Sequence, residues 1–170
     1  MGTENRGAAE RGVALFPASF DPITNGHLNL IQRSLFVFDE VVVAIARNVD
    51  KRGTFSVAER IEMLSEALAG VDGVRIESFD GLVVHYAKEI GARAIIRGLR
   101  AMSDFEYEFE MALMNKHLAP DVEVLFMMTS LEHLYVSSSR LKELVRFGAS
   151  IDEFVPAAVA EHLRKKLAAG

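Results

Sequence analysis

The sequence predicts a single α/β domain: a doubly wound sheet of five parallel strands with helices on both faces and a C-terminal helical segment. Three observations carry that expectation. Short β-branched apolar runs alternate with longer helical stretches through the chain. The runs are continuous rather than alternating, the pattern of strands buried on both faces. The connections between strand and helix are short, so each helix serves as the crossover between parallel strands.

In order along the chain, residues 1–12 (Met1 to Gly12) are rich in glycine, alanine and charge, and are expected to form a disordered extension before a domain at 13–170. They carry no apolar stretch, as a secretory signal would, and Arg6 stands where a myristoylation motif needs Ser or Thr. The first strand, Val13–Phe16, runs into a loop punctuated by proline and glycine and then a helix, His27–Phe36. A second strand is expected at Glu40–Ala46. Ser56 and Glu59 have capping-box spacing for a helix over Val57–Ala69, which Gly73 closes before a third strand, Val74–Ser78. The helix Leu82–Ile90 ends at Gly91 and leads to a fourth strand, Ala94–Arg97. A helix over Ser103–His117 precedes the fifth strand, Val122–Met127, whose Met127-Met128 end is expected in the core. Two helices close the chain, Ser138–Phe147 and Pro156–Leu167, with Pro156 suited to a first turn.

Composition narrows the chemistry. The 170 residues, half of them hydrophobic, suffice for one self-sufficient core. A formal charge of −5 gives no reason to expect nucleic acid or an anionic membrane as partner. A small anion would have to be held by a local basic cluster. With no cysteine, disulfides, thiolate nucleophiles and cysteine-ligated metals are excluded, and the composition suits a reducing cytoplasm. No apolar run approaches the length of a membrane span.

In such sheets ligands bind outside the carboxyl ends of the strands, and four segments there could carry chemistry. Pro17-Ala18-Ser19-Phe20-Asp21-Pro22-Ile23-Thr24-Asn25-Gly26-His27 follows the first strand and feeds a helix N-terminus, a place that favours anions. A capped turn with a solvent-facing histidine explains it equally well. The run is neither a dinucleotide fingerprint nor a P-loop. Tyr135-Val136-Ser137-Ser138-Ser139-Arg140-Leu141-Lys142 opens another helix with three serines, for anion donors or simply a good cap. Ile95-Ile96-Arg97-Gly98-Leu99-Arg100 ends the fourth strand with two arginines, suited to gripping phosphates or to pairing with Asp104, Glu106, Glu108 and Glu110. Asn48-Val49-Asp50-Lys51-Arg52, after the second strand, is basic but could be solvated. Together the segments bring His, Lys, Arg and Ser after four strands of one sheet. His85, His117 and His162 lie on helices without metal-ligand spacing and are expected to be structural or solvated.

Taken together, Thr24-Asn25-Gly26-His27 and Val136-Ser137-Ser138-Ser139 resemble the two motifs of the nucleotidyltransferase superfamily. Phe20 to His27 with Arg97-Gly98-Leu99-Arg100-Ala101-Met102-Ser103-Asp104-Phe105-Glu106-Tyr107-Glu108 is similar, within it, to the bacterial phosphopantetheine adenylyltransferase family. The resemblance runs from about Val13 to near the C-terminus and implies a Rossmann-like domain. It implies transfer of AMP from ATP to 4′-phosphopantetheine, giving dephospho-coenzyme A and pyrophosphate, with Mg2+ arriving on ATP and coenzyme A as a further ligand. It implies a homohexamer, which would also account for the surplus of apolar residues over Phe105–Met114. By the same resemblance Ser19 and Phe20 lie at the junction of the two substrates, and His27 contacts the α-phosphate. Lys51 and Arg97 hold the acceptor phosphate, and Val83 lines the pantetheine arm. Gly98, Leu99, Arg100 and Glu108 belong to the ATP site, over which His133, Leu134, Tyr135, Val136, Ser137, Ser138 and Ser139 close. Two positions depart from the family pattern: Ala18-Ser19 replaces a frequent Gly-Thr, and His133 a frequent tryptophan.

The implied reaction is in-line attack by an acceptor phosphate, already anionic, on the α-phosphorus. It needs positioning and charge neutralisation rather than a strong base or a covalent intermediate. The competing readings are a sister nucleotidyltransferase with another phosphorylated acceptor, a non-catalytic nucleotide sensor, and a fragment of a class I aminoacyl-tRNA synthetase. The acidic charge disfavours the last.

Overall fold

The computed structural model describes residues 11–47 and 53–168. The apolar runs form β1 (Val13–Ala18), β2 (Glu40–Ala46), β3 (Val74–Phe79), β4 (Ala92–Leu99) and β5 (Glu123–Met128). The helices are α1 (Asn25–Ser34), α2 (Val57–Ala67), α3 (Val83–Glu89), α4 (Met102–Leu118), α5 (Ser138–Arg146) and α6 (Ala157–Ala168). All five strands are parallel, in the order β3-β2-β1-β4-β5. The chain therefore winds outward from β1 in one direction, then returns to lay β4 on β1's other side. The expected doubly wound α/β domain is what forms.

Alternation of side chains along a strand explains the unbroken apolar runs. Ala14, Phe16, Val43, Ile45 and Ile96 enter one core, packed against Leu30 and Ile31 of α1, Leu64 of α2 and Leu163 of α6. Leu15, Val42, Ala44 and Ile95 face the other way, against Val84, Tyr86 and Ala87 of α3 and Ala119 after α4. Both faces of β1, β2 and β4 are thus buried.

The outer strands differ from expectation. In β5 Glu123, Leu125 and Met128 are exposed, and β3 is only partly buried. Each has a neighbour on one side only, so continuous burial stops there. Met128, expected in the core, is 63% exposed, whereas Met127 packs on it.

Helix boundaries follow their caps. Ser56 and Glu59 exchange the reciprocal bonds of a capping box, Ser56 N–H to the Glu59 carboxylate at 2.6 Å and Glu59 N–H to Ser56 Oγ at 3.2 Å. Gly91, at φ 68°, directly follows the Ile90 cap of α3. Gly73 is not a helix cap. It lies beyond the end of α2, where a Cβ would come within 3.0 Å of the Asp39 carbonyl, so it serves close approach to the turn before β2. At the first described residues, Asp39 accepts the backbone N–H groups of Arg11 (2.7 Å) and Gly12 (3.1 Å). Among the described residues no helix is long and apolar enough to cross a membrane.

Candidate active site

The switch point of the strand order lies between β1 and β4, and the segments leaving these two strands meet there. After β1 the backbone turns at Phe20, whose φ of +45° is in the left-handed region that an aromatic residue rarely adopts. The turn drives the Phe20 ring inward, 1% exposed, to 5.1 Å from the His27 ring.

Thr24 then caps α1. Its Oγ1 accepts the N–H of His27 at 3.3 Å, while its own N–H donates to His27 Nδ1 at 3.1 Å. The Thr-x-Gly-His motif is thus a capping box in which imidazole takes the place that glutamate has at the start of α2. This has a chemical consequence. Nδ1 is an acceptor, so the neutral ring carries its proton on Nε2. Burial, with the positive charge of Arg100, lowers the His27 pKa to about 4. His27 is a neutral donor whose ring lines the cavity.

Asp21 ties the same loop to three distant segments. Its carboxylate accepts the N–H groups of Thr54 (3.0 Å) and Phe55 (2.9 Å) and the ammonium of Lys142 (2.8 Å), with Arg60 Nε at 3.6 Å. Arg60 also donates to the carbonyls of Phe55 at 2.8 Å and Ser19 at 3.1 Å. Burial pushes the Asp21 pKa up, but the Lys142 and backbone bonds outweigh it and hold the group below the usual carboxylate range.

From β4, Gly98 lets α1 dock closely, since a Cβ there would lie 2.5 Å from Leu30 Cδ1. Arg97, on the opposite face of the strand, makes a two-pronged ion pair with Glu108 of α4. Nε and Nη2 donate to its two oxygens at 2.7 and 2.6 Å, and Nη1 donates to the Pro17 carbonyl at 2.9 Å. Arg100 is steadied by Asp104 (3.4 Å) and the Val136 carbonyl (3.4 Å). Of the acidic run beyond β4, Glu108 and Asp104 therefore do pair with the two arginines, yet both guanidinium groups line the cavity. At the start of α5, Ser137 caps the helix, accepting the Arg140 N–H at 3.2 Å, and Ser138 Oγ donates to the Pro22 carbonyl at 2.7 Å.

These elements enclose a cavity of about 600 Å³, within the range of small-molecule sites. Three of the four segments singled out in the sequence converge on it. Ser19, Phe20 and His27 line it from the first, Arg97, Gly98 and Arg100 from the segment that ends β4, and Val136 and Ser137 to Ser139 from the serine-rich segment, with His133 just before it. Val83 and Glu108 also line it. Leu99, Leu134 and Tyr135 do not. Leu99 is buried in the sheet, and Tyr135 packs edge-on against Phe154 beside a separate cleft of about 280 Å³. Asn48–Arg52, with Lys51, lie outside the described residues.

Sequence reasoning missed several lining residues. Lys142 and Asp21 stand in the quoted motifs without a role, because the bond between them spans 121 residues of chain. Tyr107, Met111 and Asn115 extend the cavity along α4. Tyr107 and Met111 fall in the apolar stretch Phe105–Met114, which the sequence reading gives to a subunit interface, and Asn115 lies just beyond it. His85, His117 and His162 are outside the cavity, and His162 sits 3.5 Å from Glu66. Among the described residues no group of three His, Asp or Glu side chains could hold a metal.

Comparison with known proteins adds to this geometry. The cytidylyltransferase-like family model matches residues 15–144. The chain is 52% identical over 154 residues to phosphopantetheine adenylyltransferase of Desulforudis audaxviator, covering 91% of this chain and 94% of that one. It is 52% identical, over 91% of this chain and 96% of the other, to the same enzyme of Caldanaerobacter subterraneus subsp. tengcongensis. A solved structure from Vibrio parahaemolyticus, a candidate nicotinate-nucleotide adenylyltransferase, superposes with a TM-score of 0.65 at 17% identity, over 89% of this chain and 97% of that one. That likeness bears on the fold alone.

Proposed function

This chain belongs to the phosphopantetheine adenylyltransferase family, within the cytidylyltransferase-like group, and from that premise we propose that it transfers AMP reversibly from ATP to 4′-phosphopantetheine. The products are dephospho-coenzyme A and pyrophosphate. The observation that carries the reading is the convergence of His27, Arg97, Arg100 and the serine-rich start of α5 on one cavity at the β1/β4 switch point.

The acceptor phosphate attacks the α-phosphorus of ATP in line and expels pyrophosphate, so a P–O bond forms as another breaks. The nucleophile is already an anion, which suits a site whose histidine is neutral and lacks the basicity to take a proton. His27 Nε2–H donates to a non-bridging α-phosphoryl oxygen and strengthens that bond as negative charge grows in the transition state. Arg97 receives the acceptor phosphate, Arg100 and the α5 serines the nucleotide phosphates. Val83 and the wing beside Tyr107, Met111 and Asn115 take the uncharged arm of the acceptor. Lys51 joins Arg97 on the resemblance alone.

Magnesium enters as part of the ATP substrate, held by phosphate oxygens and water and neutralising their charge. The donor set fits that mode rather than a protein cage, because the carboxylates Asp21 and Glu108 are already bonded to Lys142 and Arg97. The same reading puts the enzyme in the cytoplasm and in a homohexamer. In support of assembly, Phe109, Leu113 and Met114 of α4, none of which lines the cavity, are 46%, 57% and 60% exposed.

The direct test is pyrophosphate release from ATP with 4′-phosphopantetheine, against pantetheine lacking the phosphate. Turnover should require the phosphate. Turnover with neither, or faster turnover with a different phosphorylated acceptor, would replace this reading with a sensor or a sister enzyme.

A further inference from the structure

Both prongs of the Arg97–Glu108 pair are short, at 2.7 and 2.6 Å, and both side chains face the cavity. Glu108 is the more enclosed of the two, with 14% of its side chain exposed against 33% for Arg97. Nε–H and one N–H of Nη2 go to Glu108, and one N–H of Nη1 goes to the Pro17 carbonyl. Each terminal nitrogen keeps a second N–H. The guanidinium is therefore oriented and electrically neutralised before any ligand arrives.

We propose that Glu108 is a built-in counter-ion that orients Arg97 and competes with the acceptor's phosphate for it, so that the site binds the acceptor less tightly than its cations alone would. This rests on the reading of Arg97 as the acceptor-phosphate ligand. Glu108 acts through Arg97 and is a positioning residue, whereas the family resemblance assigns it to ATP.

Two effects of Glu108 oppose each other. Ordering the guanidinium favours binding, and a like charge within a few ångströms of the incoming phosphate disfavours it. Glutamine separates them. Its size is unchanged and its amide oxygen still accepts one guanidinium N–H, so most of the ordering survives while the charge is removed. In a half-enclosed site the lost repulsion is worth on the order of tenfold in affinity or more. The sign is diagnostic: structural damage loosens an anion site and does not tighten it.

Calorimetric titration with inorganic phosphate tests this on the full-length protein and its Glu108→Gln, Glu108→Ser, Arg97→Met and Arg97→Met/Glu108→Gln variants. Glu108→Gln should bind phosphate about tenfold more tightly or better, and the gain should vanish in the double variant. KM for 4′-phosphopantetheine should fall in parallel, with KM for ATP within about twofold of the parent. Glu108→Ser, smaller and also neutral, supplies the same comparison if glutamine unsettles α4. Unchanged or weaker phosphate binding in a folded neutral variant overturns the proposal. So does a gain that survives loss of Arg97, or a change confined to the KM for ATP. Inorganic phosphate reports on the pair whatever the natural acceptor, whereas a parent protein inactive with 4′-phosphopantetheine would count against the functional reading instead.

Discussion

An imidazole held neutral by its surroundings works as a dipole, and the pH behaviour of His27 should show it. With a pKa of about 4, its ring should stay unprotonated from pH 8 down to about pH 5, which an NMR titration of the ring protons would follow; an inflection near pH 6.5 would contradict the burial argument. In the unfolded chain the same ring protonates near 6.5. The stability it permits is therefore complete above about pH 6.5, falls with acidification and levels off below about 4, a loss of up to roughly 3 kcal/mol. Replacing His27 with alanine should lower kcat by about two to three orders of magnitude while KM for ATP changes far less, and near-normal turnover would remove it from the chemistry. The spacing of Thr24 and His27 was legible as a motif. That it is a capping box was not, since the pattern is ordinarily looked for with glutamate or glutamine. For Arg97 the sequence left phosphate and acidic partners as alternatives; the structure shows the acidic partner, Glu108, on one edge of a side chain that lines the cavity. Asp21 was hidden because its partners lie 33 to 121 residues away.

At the scale of elements, α1 is held at its start by Thr24 and along its flank by the missing side chain of Gly98. Thr24→Ala removes the hydroxyl that accepts the His27 N–H and keeps the backbone N–H that holds Nδ1. It should cost about 1 kcal/mol of stability, read from a denaturant melt, while kcat falls far less than in His27→Ala, since the bond to Nδ1 survives. Gly98→Ala sets a methyl 2.5 Å from Leu30 Cδ1. Leu30 is a flexible but enclosed side chain, so the cost should be about 1 to 2 kcal/mol, accompanied by slower turnover as the start of α1 shifts. A change in stability without a change in kcat would show that the helix start is positioned independently of its packing on β4. Element boundaries were largely readable because apolar periodicity and capping residues agree, as at Ser56 and Gly91. Gly73 misled for a physical reason, since a glycine needed for close approach to Asp39 looks, in one dimension, like a helix terminator. The edge strands misled because an apolar run does not reveal which strand will have a neighbour on each side.

For the molecule as a whole, α4 leaves several apolar side chains uncovered, with Phe109 46% and Leu113 57% exposed. A charge placed on that face, as in Met114→Glu, should lower the mass seen in sedimentation equilibrium if copies of the chain meet there. An unchanged mass would assign the apolar surface to another role. Strand number and parallel sense followed from the alternation of elements, while strand order followed only from three-dimensional pairing. That order carries a consequence for biogenesis. β1 is made first, yet one of its two neighbours is β4, aligned through Val13 with Ala92 and Leu15 with Ile95. A nascent chain that has completed β3 still exposes the bare edge of its central strand, and the nucleotide cleft does not yet exist. Partial products stalled on the ribosome are therefore inert toward ATP and vulnerable to strand-to-strand adhesion, until late translation delivers the missing wall.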